Sequence, residues 1–159
     1  MKHLPKHLRP RWRYVALGIE TWPDADFGRR AFQRALWYAA GNLIGDAGSA
    51  DADLALLDFT HGDGVGEAVV KVRRGHVDEA RAAIACVSEV DGHSVGIHVR
   101  GISGTVRACE ERYMGRAGAS FTQRDVAFRD AERPAVVRDD ACDVRVGSGY
   151  VGAAAFDIE

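Results

Sequence analysis

Ser103-Gly104-Thr105 sets two hydroxyls and a small turn residue where an alternating apolar run gives way to helically spaced apolar residues. A helix starting there turns free backbone N–H groups outward, and such a start attracts anions. The same hydroxyls would equally well serve only as caps of a buried helix. Arg107, one turn in, adds a positive charge on the side of the anion reading. A second charged feature is the N-terminal arm, in which residues 1–13 hold Lys2, Lys6, Arg9, Arg11 and Arg13 and no acid.

Other patterns with chemical meaning are weak or missing. There is no Ser/His/Asp order, Walker loop, H-E-x-x-H helix or C-x-x-C pair, and the six histidines are scattered. Glu110 and Glu111 are adjacent, so on a helix they diverge and cannot share one reaction centre. Asp51 and Asp53 form an isolated D-x-D, too sparse for a cation site. Gly62-Asp63-Gly64-Val65-Gly66 has the composition of a phosphate loop but lies between two strand-like runs, where Asp-Gly marks a hairpin. Cys86, Cys109 and Cys142 are odd in number and far apart, which argues against a disulfide framework and for reduced thiols.

The elements that must position these residues follow from periodicity. Residues 13–20 alternate, with Val15, Leu17 and Ile19 on one side, and form a first strand. Phe32, Ala35, Leu36, Ala39, Ala40 and Leu43 recur at spacings of three and four and mark a helix, with Arg30, Arg34 and Trp37 as a basic and aromatic line on its other side. Residues 45–51 read as a loop. Residues 54–59 and 67–74 are two further strands, and a second helix opens at Gly75-His76 with Asp78 and Glu79 in its first turn, where carboxylates suit the dipole. Its stripe is Val77, Ala80, Ile84 and Val87. After the Asp91-Gly92 turn, residues 93–102 alternate as a fourth strand.

Strand, helix, strand, strand, helix, strand predicts a ferredoxin-like, RRM-like α+β sandwich with a four-stranded antiparallel sheet and an additional helix after the fourth strand. If Val15, Leu17, Ile19, Val70, Val72, Val95, Ile97 and Val99 face the first two helices, the opposite face shows Tyr14, Ala16, Gly18, Lys71, Arg73, Gly96, His98 and Arg100. Residues 67–72 contain no aromatic, so this is not a standard base-stacking sheet. Its small centre suits the third helix, whose Val106, Cys109 and Tyr113 are expected to cover it. The chain then divides into a basic arm (1–12), a core domain (13–115) and a C-terminal extension (116–159) that is partly ordered at best. In the extension, residues 134–138 and 150–156 are β-prone and are separated by charged stretches.

With 159 residues and 47% hydrophobic composition the chain can build a real core. It has no run long and apolar enough for a bilayer and no apolar segment after its basic start, so no membrane association and a cytoplasmic location are expected. The net charge of −2 does not announce a nucleic-acid binder, so any RNA contact must be local. Of the 21 basic residues 18 are arginine, whose planar fork suits phosphate.

Over about residues 1–115 the sequence resembles the archaeal ribonuclease P protein component 2 family, related to a subunit shared by eukaryotic ribonucleases P and MRP. The resemblance lies in the first fourteen residues, in Phe32-Gln33-Arg34-Ala35-Leu36-Trp37, and most specifically in residues 101–109. Arginine abundance and an acidic loop look like a haloarchaeal member. The resemblance implies a non-catalytic subunit of the ribonucleoprotein that removes the 5′ leader of precursor tRNA. The RNA would carry the chemistry with Mg2+ at its own active site, no cofactor being bound by this chain. It also implies pairing with protein component 3 in a two-plus-two heterotetramer. On that basis Lys2, Lys6, Arg9, Arg11, Arg13 and Arg107 are expected to contact RNA phosphates. The competing reading is a ligand-binding regulatory domain with its anion site at Ser103, Gly104 and Thr105.

Overall fold

A computed structural model describes residues 4–115, 121–139, 141–147 and 149–158. It divides into two compact units, Met1–Arg116 and Ala117–Glu159. In the first unit a short 3-10 turn, Lys6–Leu8, leads into β1 (Trp12–Thr21). There follow α1 (Arg29–Ala52), β2 (Ala55–Gly62), β3 (Val65–Arg73), α2 (Val77–Ala85), β4 (Glu89–Val90), β5 (His93–Ser103) and α3 (Val106–Tyr113). The strands form one antiparallel sheet in the order β2-β3-β1-β5-β4. The described residues of this unit make a mixed α/β fold with three α-helices.

The alternation in the sequence becomes two faces. Val15 pairs with Val70, Leu17 with Ala68 and Val99, and Ile19 with Ile97, so the apolar side of the central strands lies on one surface. That surface packs with Phe32, Leu36, Ala39 and Ala40 of α1 and Ala80, Ala83 and Ile84 of α2 in one core. Each wholly buried Val, Leu or Phe contributes about 1.5–3 kcal/mol. The opposite face carries a smaller cluster, Ala16, Val69 and Cys109, with Tyr14, Tyr113 and Met114 packed against it. α3 thus covers the small-residue centre of the sheet, as the sequence predicts. Gly101 makes this approach possible, because a Cβ there would stand 2.1 Å from the Tyr113 ring.

Several local expectations need correction. The 45–51 stretch is helical: α1 runs on to Ala52, interrupted only at Gly45, whose φ of 74° breaks the turn. Alanines on both sides let the helix resume, and Asp53 ends it in the left-handed region. Leu43 does not join the core but is 46% exposed. The β2–β3 hairpin is tighter than the glycine run suggested, since Gly62 pairs with Val65 and only Asp63-Gly64 turns, both at positive φ.

The described residues of the extension, expected to hold partial order, form four strands. They are β6 (Thr122–Phe128), β7 (Ala131–Arg138), β8 (Ala141–Val146) and β9 (Gly149–Ala154), paired antiparallel in chain order. The β-prone pieces at 134–138 and 150–156 fall mainly in β7 and β9. The charged residues between them either alternate within strands or turn the chain, as Arg129, Asp130 and Asp139 do at positive φ. Ala135 pairs with Val144, which pairs in turn with Val151, and Val137 pairs with Cys142, which pairs with Ala153. Together with Val126 and Phe128 these residues make one apolar face.

Candidate nucleic-acid interface

The antiparallel pairing of β1 with β5 brings two distant sequence features together. Tyr14 pairs with Ser103, so the end of the basic arm meets the start of α3. Arg13 Nη1 lies 3.7 Å from where a Cβ on Gly104 would stand, and it donates to the Trp12 carbonyl at 3.2 Å. Within the arm Lys6, Arg9 and Arg11 are exposed, Arg9 Nε donating to the Leu4 carbonyl at 2.9 Å. Lys2 lies outside the described residues.

At the helix start the two hydroxyls separate in role. Thr105 is the N-cap, with extended backbone and a side-chain oxygen that accepts from the Ala108 N–H at 3.1 Å. Ser103 is only 8% exposed, and its hydroxyl has no hydrogen-bond partner among the described residues. Arg107 projects from the helix, 88% exposed, and pairs with Glu111 one turn on at 2.8 Å.

Arg100 is not the outward basic residue the alternation suggested. It sits at the bulge between the Ala16 and Leu17 pairings and turns inward to Glu67, the two side chains being 15% and 17% exposed. Its Nη1 also donates to the Tyr113 carbonyl at 3.2 Å, and Glu67 accepts from the Gly115 N–H at 3.0 Å. The C-terminal end of α3 is therefore tied to the sheet by one ion pair. His98 is exposed, its ring crossing Gly18 so closely that a Cβ there would stand 2.2 Å from it.

At the other end of the same face the cluster under α3 ends at Tyr14. Two residues back is Trp12, a residue that sequence reasoning missed because it placed the strand start at Arg13. Lys71 Nζ stands 3.8 Å from the Trp12 ring centroid and the Arg73 guanidinium 5.3 Å. The signal was present, since Trp12 continues the Tyr14, Ala16, Gly18 alternation.

The line Arg30, Arg34 and Trp37 is split by the structure. Trp37 Nε1 donates to the Leu54 carbonyl at 2.8 Å, Gln33 accepts from the Leu56 N–H at 2.7 Å, and Arg29 donates to the Leu56 and Leu57 carbonyls. These side chains engage backbone groups around the irregularity where β2 leaves its register with β3. Arg30 and Arg34 remain exposed.

Titration behaviour follows burial. His61, stacked on Phe27 at 4.3 Å and hydrogen-bonded to Thr21 at 2.9 Å, has its pKa lowered, first by loss of solvent and then by His93, with Asp26 opposing. Burial, then Glu110, raises the Cys109 thiol, and burial, then Asp143, raises that of Cys142. Among the described residues no group of three or more His, Cys, Asp or Glu side chains is arranged to hold a metal ion. No helix among them is long and apolar enough to cross a membrane.

A family model described as the Rpp14/Pop5 family matches residues 13–114. The chain is 79% identical to ribonuclease P protein component 2 of Halorubrum lacusprofundi over the full length of both, and 61% identical to that of Natronomonas pharaonis over 99% of this chain and 98% of the relative. It is 30% identical to ribonuclease P protein component 2 of Thermococcus kodakarensis over 74% of this chain, which covers 94% of that protein. The family match holds β1 from Arg13 through all of α3 and stops two residues before the first compact unit ends, and the chain belongs to the Rpp14/Pop5 family.

Proposed function

We propose that this chain is a non-catalytic protein subunit of ribonuclease P, supporting the catalytic RNA in removing the 5′ leader of precursor tRNA. The observation that carries the subunit assignment is the family match across the first unit, together with full-length relatives that bear this name. The strand order β2-β3-β1-β5 supports a ferredoxin-like, RRM-like core. In this reading Lys2, Lys6, Arg9, Arg11, Arg13 and Arg107 contact RNA phosphates, and magnesium ions at the reaction centre are held by RNA. An apolar surface elsewhere pairs with protein component 3 in a two-plus-two assembly, in the cytoplasm. No observation favours the regulatory anion-binding alternative, since Thr105 meets a helix N–H as an ordinary cap does.

Reconstituted cleavage of precursor tRNA at limiting magnesium, with component 3 present, tests the proposal. Adding the chain should raise the rate, and no stimulation would refute it. Changing Arg9, Arg11, Arg13 and Arg107 to alanine should flatten the dependence of RNA binding on salt, by about 0.7–0.9 in log–log slope for each phosphate no longer engaged.

A further inference from the structure

We propose that the Trp12 end of the α3-covered face is a binding site for the phosphodiester backbone of RNA, with Lys71 and Arg73 as donors and Trp12 as the residue that positions them. The antiparallel register pairs Trp12 with Arg73 and Tyr14 with Lys71, which sets both cations on the face that carries the ring. The ammonium at 3.8 Å and the guanidinium at 5.3 Å lie within reach of the ring's negative quadrupole. The ring restrains each cation without taking its N–H groups in a conventional hydrogen bond. Less side-chain freedom is then lost when a phosphate oxygen arrives.

The surroundings give the patch its sign. Exposed Arg11 and Arg74 flank it, joined through the Arg74 N–H and the Arg11 carbonyl at 2.9 Å. Among the described residues the carboxylate against these four cations is Asp53, 3.7 Å from Arg73, with both side chains near half exposure. Such a pair is weak and readily exchanged for a phosphate. The patch is continuous with the arm through Arg11, so a strand on the arm would reach Lys71 and Arg73 next. A repeating polyanion fits this row of cations better than an acidic side chain or two on a protein. Packing of α3 stops at Tyr14, which leaves Trp12 outside the covered cluster.

This inference rests on the ribonuclease P reading, and the test separates the two. The affinity of the full chain with component 3 for ribonuclease P RNA is measured across salt concentrations for the parent and for Lys71→Gln/Arg73→Gln. The expected fall in log–log slope is about 1.5, two phosphates at about 0.7–0.9 each. Lys71→Arg/Arg73→Lys should keep the parental slope. Trp12→Leu should keep the slope but weaken binding several-fold, with Trp12→Phe recovering most of it. An unchanged slope in the Gln variant, with a parent that binds RNA normally, overturns the site and leaves the subunit reading standing. Loss of component 3 binding with an unchanged RNA slope overturns it as well, giving the patch to protein. A parent that neither binds RNA nor stimulates cleavage overturns both.

Discussion

Replacing Glu67 by alanine should release the C-terminal end of α3. Glu67 is the acceptor for two groups, the Arg100 guanidinium and the Gly115 N–H, and its loss leaves Arg100, among the described residues, the Tyr113 carbonyl at 3.2 Å. Breaking a fully buried ion pair costs about 3–5 kcal/mol, because the remaining charge is left without a counterion. Here the side chains are partly reached by solvent and one hydrogen bond survives, which brings the expected cost to about 2–3 kcal/mol. Glu67→Leu with Arg100→Leu removes both charges and should return to within about 1 kcal/mol of the parent. Urea unfolding followed by tryptophan fluorescence reads this cleanly, since Trp12, Trp22 and Trp37 all lie in the first unit. The reasoning is refuted if Glu67→Ala unfolds at the parental urea concentration, or if the double variant is no more stable than the single one.

Thr105→Ala should lose about 1 kcal/mol in the same assay, while Thr105→Ser, which keeps the acceptor, should lose only a few tenths. Iodoacetamide at mildly alkaline pH should alkylate exposed Cys86 in the native protein and leave Cys109 and Cys142 unmodified until urea is added, because burial both shields these thiols and disfavours their thiolates. For His61 the folded pKa lies below the unfolded value of about 6.5, so the unfolded chain binds more protons and stability present above that pH declines as pH falls through the folded value. Urea midpoints across this window should show that decline in the parent and less of it in His61→Gln; parallel profiles would remove His61 as the cause.

The features legible in the sequence were those set by local period. Val15, Leu17 and Ile19 alternate and are buried; Phe32, Leu36, Ala39 and Ala40 recur every three to four residues and line one helix face. Placing Cys109 over small Ala16 needed only the two periods and the gap that one strand face left open. What was not legible depends on register and on partners far along the chain. Nothing near Arg100 announces Glu67, thirty-three residues away, because their meeting follows from the bulge between β1 and β5 and from the β1–β3 pairing. Leu43 follows the helical period yet is 46% exposed while its neighbour Ile44 packs against the core, so period alone overcounted it. β6 and β8 were hidden for another reason: Asp125, Asp143 and Arg145 interrupt any apolar run, yet each falls on the face opposite the apolar cluster.

The pairing of Arg100 with Glu67 changes where positive charge stands on the α3 face. Counted from alternation alone, Lys71, Arg73 and Arg100 would spread positive potential along the whole surface. With Arg100 neutralised against Glu67 beneath the end of α3, one end of the face is closed and electrically quiet. α3 contributes Arg107 outward, but Glu111 sits one turn away in an exposed pair that water and salt screen. A phosphate can displace Glu111 there, at the expense of one surface ion pair, and the pairing of Tyr14 with Ser103 sets the start of α3 beside the end of the arm. The arm end of the face also holds Lys71 and Arg73 on the Trp12 ring, with Arg11 and Arg74 beside them. Binding strength for a polyanion grows with the number of phosphates engaged at once. In the proposed contact with RNA the arm and the Trp12 end of the sheet act as one surface, with α3 as the wall beside it.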